Sequence, residues 1–448
     1  TDNGNYVPFL YDFVGIILWN ISGVIICECW NSKGEYHPFL LFLMLAYFDS
    51  VPFVLADIMS FSMYLIQIGI AAIATAISVK LTVQYYKPKK IQSMLLAVIL
   101  LWWSFGTYQA FICFYISAFA GYCVIHYISE NREYLWKIIG VGVCICIAGV
   151  IGYVCIDKVV NILAGSDGYL QSNYIGWMDE NPVLNFLMSL ANVGRVSFAV
   201  TYKNVSVNGA MCIRVLTSVF IVYAFIRVMK YETKKKDKII VFVLCVALSF
   251  SPFFLYIAMA TYKTVGRMML GLPIVGMAQI YLISKILSKQ LVKNVFAIAL
   301  SVILFRNACE INRSYYDQSV SFGKDCDIVS QLMYDIQSEG IDYHNKSLVF
   351  IGMVPRDYIP NNQIGELGSS FFSHDDGNSA RMSTFIRTRG YAVQDASAEQ
   401  LNQAYQLASD NQLSCWPQKN SIFESDGLIV VKLSDTTDKW FMVNGVVQ

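Results

Sequence analysis

Long apolar runs separated by short polar connections constrain this chain more than any other feature. A membrane-crossing helix needs about 20 predominantly apolar residues. Runs of that kind occupy residues 6–27, 53–79, 91–105, 110–128, 138–156, 210–228, 239–258, 268–287 and 294–308, with a shorter one at 38–48. The stretch 91–128 is too long for one span and is interrupted by Gly106, Thr107, Tyr108 and Gln109, which reads as two spans joined by a tight turn. The composition agrees, with 56% of residues hydrophobic and 15% charged, outside the range of ordinary soluble domains. The expected fold class is therefore an α-helical polytopic membrane protein with about ten transmembrane helices. A net charge of +1 gives no basic surface for nucleic acid, so no nucleic-acid partner is expected.

Charge placement orients the spans, because short loops rich in Lys and Arg stay on the cytoplasmic side. Lys80, Lys87, Lys89 and Lys90 share one loop; Arg132 and Lys137 lie in the next but one; Lys230, Lys234, Lys235, Lys236 and Lys238 follow, then Lys285, Lys289 and Lys293. Every second loop is basic. The intervening connections, among them the long segment 157–209, fall outside, together with Thr1 and everything beyond residue 308. An outside N-terminus without a signal-peptide pattern leads to the expectation that a first span precedes residue 1.

The sequence divides into a transmembrane domain over residues 1–308 and a small extracytoplasmic α/β domain over 309–448. In the latter, 324–339 and 397–410 have helical character, the second opening on the capping box Ser397-x-x-Gln400. Short apolar runs at 347–353 and 427–433 suit buried strands. Of twelve cysteines, Cys27, Cys113, Cys123, Cys144, Cys146, Cys155, Cys212 and Cys245 sit in apolar runs and read as small buried hydrophobes. Cys309, Cys326 and Cys415 leave room for one disulfide. No metal-ligand spacing appears; His374-Asp375-Asp376-Gly377 lacks further ligands and reads as a solvated loop.

Polar residues at the outer ends of spans are costly in a bilayer, so they face a cavity, a partner or headgroups. Asp49 follows Tyr47 and Phe48 at an outer turn, where it either caps the next helix or serves chemistry. Asp57 lies inside an apolar run, where no cap is needed, and is expected to face a cavity. Trp102 and Trp103 read as an interfacial belt. Gln109, beside Tyr108, must bond either a sugar or a neighbouring helix. Lys263 and Arg267, four residues apart on one helical face, join Arg195 and Arg214 as cations on the outer side. They either snorkel to headgroups or hold a lipid-linked phosphate, for which Arg offers bidentate hydrogen bonds.

These landmarks resemble the polytopic glucosyltransferases that convert bacterial O-antigen serotype, the type II group within the GT-C superfamily. The resemblance rests on Ala46-Tyr47-Phe48-Asp49-Ser50 with Ala56, on Ser104-Phe105-Gly106-Thr107-Tyr108-Gln109-Ala110, on Gly266-Arg267, and on the tail from Cys415-Trp416-Pro417 through Gly427 to Leu433. It implies a sugar, glucose in that family, carried on a polyprenyl phosphate, and an acceptor surface polysaccharide at the outer face of the bacterial cytoplasmic membrane. No cofactor is implied. Superfamily members carry a catalytic carboxylate in the first outer loop, which points to Asp2; Asn5 stands where similar proteins have arginine, and a carboxylate upstream of residue 1 is the alternative. The roles that follow are Asp49, Asp57 or Asp2 as base or sugar ligand, Arg267 with Lys263, Arg195 and Arg214 at the donor phosphate, and Tyr47, Tyr108 and Gln109 at the sugar. Rival readings are a lipid-linked saccharide flippase, disfavoured by the absence of paired halves, and a glycan polymerase or ligase, disfavoured by the single arginine in 157–209.

Overall fold

The computed structural model describes residues 8–31, 37–84, 91–129, 134–164, 175–178, 181–198, 211–232, 234–261, 266–354, 369–425 and 427–446. Two compact units are present, Thr1–Ile311 and Asn312–Gln448. The first contains α1 (Pro8–Trp30), α2 (Pro38–Asp49), α3 (Leu65–Gln84), α4 (Ile91–Thr107), α5 (Phe111–Ile128), α6 (Leu135–Ala164), α7 (Pro182–Ser197), α8 (Met211–Ile226), α9 (Lys235–Phe250), α10 (Phe254–Met259), α11 (Gly271–Ile286) and the start of α12 (Gln290–Ser338). Among the described residues, six helical stretches are long and apolar enough to cross a membrane: α1, α3, α5, α6, α9 continuing into α10, and α12. Helices α2, α4 and α11 are shorter apolar ones.

The expected helix boundaries shift where backbone chemistry intervenes. The run 53–79 is not one helix. A π-helical turn Pro52–Ala56, a helical turn Asp57–Met59 and a 3-10 turn Ser62–Tyr64 precede α3. Proline opens this segment without an amide to donate, and the Ser60 hydroxyl donates to the Asp57 carbonyl at 2.6 Å. The run 239–258 is likewise broken at Pro252 by the 3-10 turn Ser251–Phe253. In the other direction, α12 passes through the expected boundary at 308 and absorbs the helix expected over 324–339, because its 49 residues contain no proline.

Helices α1 and α3 run parallel. A Cβ on Gly15 would lie 2.5 Å from Leu65 Cγ, and one on Gly69 would lie 2.7 Å from Leu18 Cβ. Farther along the same pair, Lys80 Nζ meets Glu28 Oε2 at 3.0 Å. Small residues permit this approach, which is how apolar helices pack without a hydrophobic driving force. The tryptophans of α1 complete the core. Trp19 stacks on Phe48 of α2 at 4.6 Å, and Trp30 Nε1 donates to the Ala118 carbonyl of α5 at 3.0 Å.

The second unit is built on a three-stranded sheet, β1 (Ser347–Ile351), β2 (Ile422–Ser425) and β3 (Leu428–Lys432), in the order β1-β3-β2. Strands β1 and β3 are parallel with Leu348 opposite Ile429, and β2 is antiparallel to β3 with Phe423 opposite Val430. Alternation along the strands feeds two cores. Leu348, Phe350, Ile429 and Val431 pack with Leu332 and Ile336 of α12 and Met382 and Ile386 of α13 (Ser379–Thr388). Val349, Ile351, Leu428 and Val430 pack with Ala404 and Ala408 of α14 (Ala398–Asp410) and Trp440 of α15 (Asp438–Asn444). Both faces are covered, so β1 and β3 are buried up to the half-buried Lys432 that ends β3, and their apolar spelling follows from that. The Ser397–Gln400 capping box forms as its spelling requires. Cys309, Cys326 and Cys415 are free thiols, so no disulfide joins them.

Candidate functional site

Non-helical backbone within an apolar unit is tolerated where protein buries it or where it lines a polar cavity. The segment from Ser50 to Tyr64, a helix broken into short π, α and 3-10 turns, is subject to the same requirement, and it carries the polar centre of the first unit. Asp57 is fully buried at 0% exposure. Its Oδ2 accepts from the Arg267 backbone amide at 3.3 Å and lies 3.6 Å from Arg267 Nη1. Arg267 sits in the 3-10 turn Gly266–Met268 before α11, and its guanidinium covers the Phe61 ring at 5.0 Å. A buried charge requires a partner, and each member of this pair supplies the other's. The Arg267 side chain keeps 24% exposure, and a guanidinium has five N–H donors, so it can hold Asp57 and still face an anion.

Asp49 ends α2. Asn20 Nδ2 donates to both of its carboxylate oxygens, at 3.2 and 3.0 Å. It therefore does not cap the following turn, whose N-cap Val51 has no side-chain hydrogen bond. Asn20 is roughly halfway along α1, a helix about 34 Å long at 1.5 Å per residue, so the Asp49 carboxylate lies near the mid-length of that helix. Asn307 Nδ2 of α12 donates to the Ser50 carbonyl at 3.1 Å, satisfying backbone that the broken segment leaves free.

Tyr47 is buried against the bare backbone of Gly276 in α11, where an added Cβ would lie 1.8 Å from Tyr47 Cε1. Its ring lines an apolar cavity of about 370 Å³ between α7, α8, α9 and α11, together with Phe198, Phe220, Phe250, Leu272 and Gln279. Gln109 bonds a neighbouring helix, its Nε2 donating to the Tyr153 hydroxyl of α6. Tyr108 closes the end of α4, its amide donating to the Ser104 carbonyl at 3.0 Å. Trp102 turns inward, with Nε1 donating to the Ala148 carbonyl at 2.9 Å, so only Trp103, at 46% exposure, retains a belt-like position.

The structure brings together Asp57 and Arg267 from the expected set. Arg195 Nη1 donates to Asn192 within α7 at 3.4 Å, and Arg214 Nε donates to the Phe198 carbonyl at 3.0 Å, tying α7 to α8. Asp2 and Lys263 lie outside the described residues. Among the described residues no group of three or more His, Cys, Asp or Glu gathers to hold a metal.

One carboxylate escaped the sequence reading. Asp12 is on α1 one turn before Gly15, on the face that meets Leu65, and its Oδ1 is buried without a hydrogen-bond partner. The parallel register of α1 and α3 places it level with the turn at Phe61–Tyr64, over whose Phe61 ring Arg267 lies. The signal was present: it is a carboxylate inside the apolar run 6–27, the same anomaly that singled out Asp57.

Span-length apolar helices around a buried carboxylate–arginine pair describe a membrane protein with a polar centre. The family described as Glucosyl transferase GtrII matches residues 1–283, and the chain belongs to it. Glucosyltransferase activity follows from that membership. Asp12, Asp49, Asp57 and Arg267 all fall inside the matched part. No curated protein and no solved structure matches the chain.

Proposed function

We propose that this glucosyltransferase takes glucose from a polyprenyl-phosphate donor and transfers it to a surface polysaccharide at the outer face of the cytoplasmic membrane. The observation that carries the reading is Arg267, in a short 3-10 turn, held by Asp57 of a broken helix and still part-exposed. In the proposed reaction an acceptor hydroxyl loses its proton to a carboxylate as its oxygen bonds to the anomeric carbon. The bond from that carbon to the phosphate oxygen breaks, and polyprenyl phosphate leaves with the electron pair. Arg267 meets the negative charge gathering on the leaving phosphate.

Asp57 is committed to Arg267 and positions it. Asp12 and Asp49 then supply the base and the ligand for sugar hydroxyls, and the variant that lowers kcat rather than raising KM identifies the base. The apolar cavity beside Tyr47 suits an isoprenoid chain, since its lining is dominated by Phe, Ile, Leu and Val. In this reading the bundle has about ten spans, and the sheet-containing second unit is extracytoplasmic.

The test is transfer from synthetic polyprenyl-phosphate glucose to isolated surface glycan by the full-length protein in membranes. Arg267→Ala and Asp49→Asn should each lower transfer at least a hundredfold per folded molecule. Carrier-lipid movement across the bilayer without any transfer would overturn the proposal.

A further inference from the structure

A second cavity, of about 270 Å³, lies at the opposite ends of the helices from the polar centre, where α2 begins, α11 ends and α12 begins. Its lining is of two kinds. Phe39, Leu40, Leu43 and Phe296 form an apolar wall, while Lys285 and Lys293 form a cationic rim beside His37, and no carboxylate lines it among the described residues. Lys285 is exposed and its ammonium stands 5.1 Å from the Tyr281 ring centroid. Lys293 is exposed one turn into α12. His37 Nδ1 accepts from the Phe39 amide at 3.3 Å, so the ring proton resides on Nε2, which is left as a donor. Gln290 and Asn294, bonded to each other at 2.9 Å, add amide groups to the rim.

We propose that this cavity is a binding site for the headgroup of an anionic phospholipid, separate from the transfer site. The lysines and His37 would meet the phosphodiester, and the apolar wall would take the first part of an acyl chain. The charge pattern selects an anion, and the apolar wall selects one that carries hydrocarbon. Basic pockets between membrane helices at the cytoplasmic edge are where anionic headgroups lodge. The site is built from residues of the first unit alone. Only the name of the leaflet depends on the proposed orientation, so the binding can fail or succeed independently of the glucosyl-transfer reading.

Native mass spectrometry of the detergent-purified full chain, titrated separately with phosphatidylglycerol, phosphatidylcholine and inorganic phosphate, tests this. Phosphatidylglycerol should be retained and phosphatidylcholine and phosphate should not. Lys285→Ala/Lys293→Ala should weaken phosphatidylglycerol binding about thirtyfold, the order expected of two lysine contacts at a lipid surface, and Lys285→Arg/Lys293→Arg should restore it. Leu40→Trp, which fills the apolar wall and leaves the charges, should weaken it as well. Equal retention of both lipids, or phosphatidylglycerol binding unchanged in the alanine variant, would overturn the site. Phosphate competing as well as the lipid would replace it by a free-anion site.

Discussion

Replacing Arg267 by alanine removes the guanidinium that faces a carboxylate with no solvent exposure. Breaking a buried pair from one side typically costs about 3–5 kcal/mol, because the remaining charge is left uncompensated. Two features place this pair at about 3 kcal/mol, the low end of that range: the Arg267 backbone amide stays on Asp57 Oδ2 at 3.3 Å, and the guanidinium is already part-solvated. Removing the charge as well, in Asp57→Asn/Arg267→Ala, should return most of the loss, giving a coupling of about 2 kcal/mol in a double-mutant cycle. Transfer should behave differently, falling at least a hundredfold in Arg267→Ala and remaining lost in the double variant. Unfolding can be followed with a thiol-reactive dye, since Cys27, Cys113, Cys123 and Cys245 are buried free thiols that become reactive only when the first unit opens. Single variants whose stability losses simply add would refute the pairing. A double variant that recovers transfer along with stability would refute the phosphate role.

Other outcomes follow from the same geometry. Gly276→Val must displace the Tyr47 ring, with a Cβ 1.8 Å from Cε1, at a cost of about 1–3 kcal/mol, and should lower both thermal stability and transfer; normal values in both would show that Tyr47 moves freely. Thr217→Trp, which narrows the 370 Å³ cavity, should raise KM about tenfold for a full-length polyprenyl donor while sparing a short-chain analogue, since a few lost methylene contacts amount to about that much; equal effects on both donors would place the chain elsewhere. In the second unit, burial pushes the Asp325 carboxyl up to about 6, against opposing hydrogen bonds from Ser370 and Phe371. The folded state therefore holds the proton more tightly than the unfolded chain, so this group's contribution to stability is largest in acid and is lost as pH rises from about 4 to about 6, an effect on the order of 3 kcal/mol. Hydrogen exchange of the β1 and β3 amides in the full chain should show this decline, corrected for intrinsic rates, and Asp325→Asn should flatten it.

The helices were legible because apolar runs are a local property. The places where the helices break were not, as shown by the run 53–79: its hydropathy is continuous, yet Pro52 and the Ser60–Asp57 hydrogen bond turn its first half into three short turns. The strands β1 and β3 announced themselves as apolar runs because both faces are covered, whereas β2 escaped notice because it sits at the sheet edge and has only two apolar residues, Ile422 and Phe423, before Glu424 and Ser425. The helix α7 was hidden in a segment read as loop. The cysteine readings divide the same way: burial of Cys27, Cys113, Cys123 and Cys245 follows from their runs, whereas Cys144 and Cys155, expected to be buried, are exposed on α6 and Cys146 is half-buried, and the free state of Cys309, Cys326 and Cys415 depends on distances a sequence does not contain.

The polar centre shows the same division at the level of single residues. Asp57 could be suspected because a carboxylate in an apolar run is anomalous by itself, but its partner lies 210 residues away, and nothing local in Gly266-Arg267-Met268 points back to it. Asn20 raised no suspicion, being an amide in a long apolar run, until Asp49 was found bonded to it. That bond also changes the meaning of Asp49. A carboxylate read as marking the outer surface is held near the middle of α1, because α2 has only 12 residues, about 18 Å of rise, and ends before a membrane's thickness is crossed. A short helix that stops partway forces the next dozen residues to be irregular backbone at depth, and irregular backbone at depth must be satisfied by side chains. Asn307 on the Ser50 carbonyl and Asp57 on the Arg267 backbone amide meet that need. Asp57 and Asn307 are thus consequences of where α2 ends as much as tools for chemistry, whereas that structural need supplies no account of Asp49, bonded to the Asn20 side chain, or of Asp12, with an enclosed oxygen that lacks a donor.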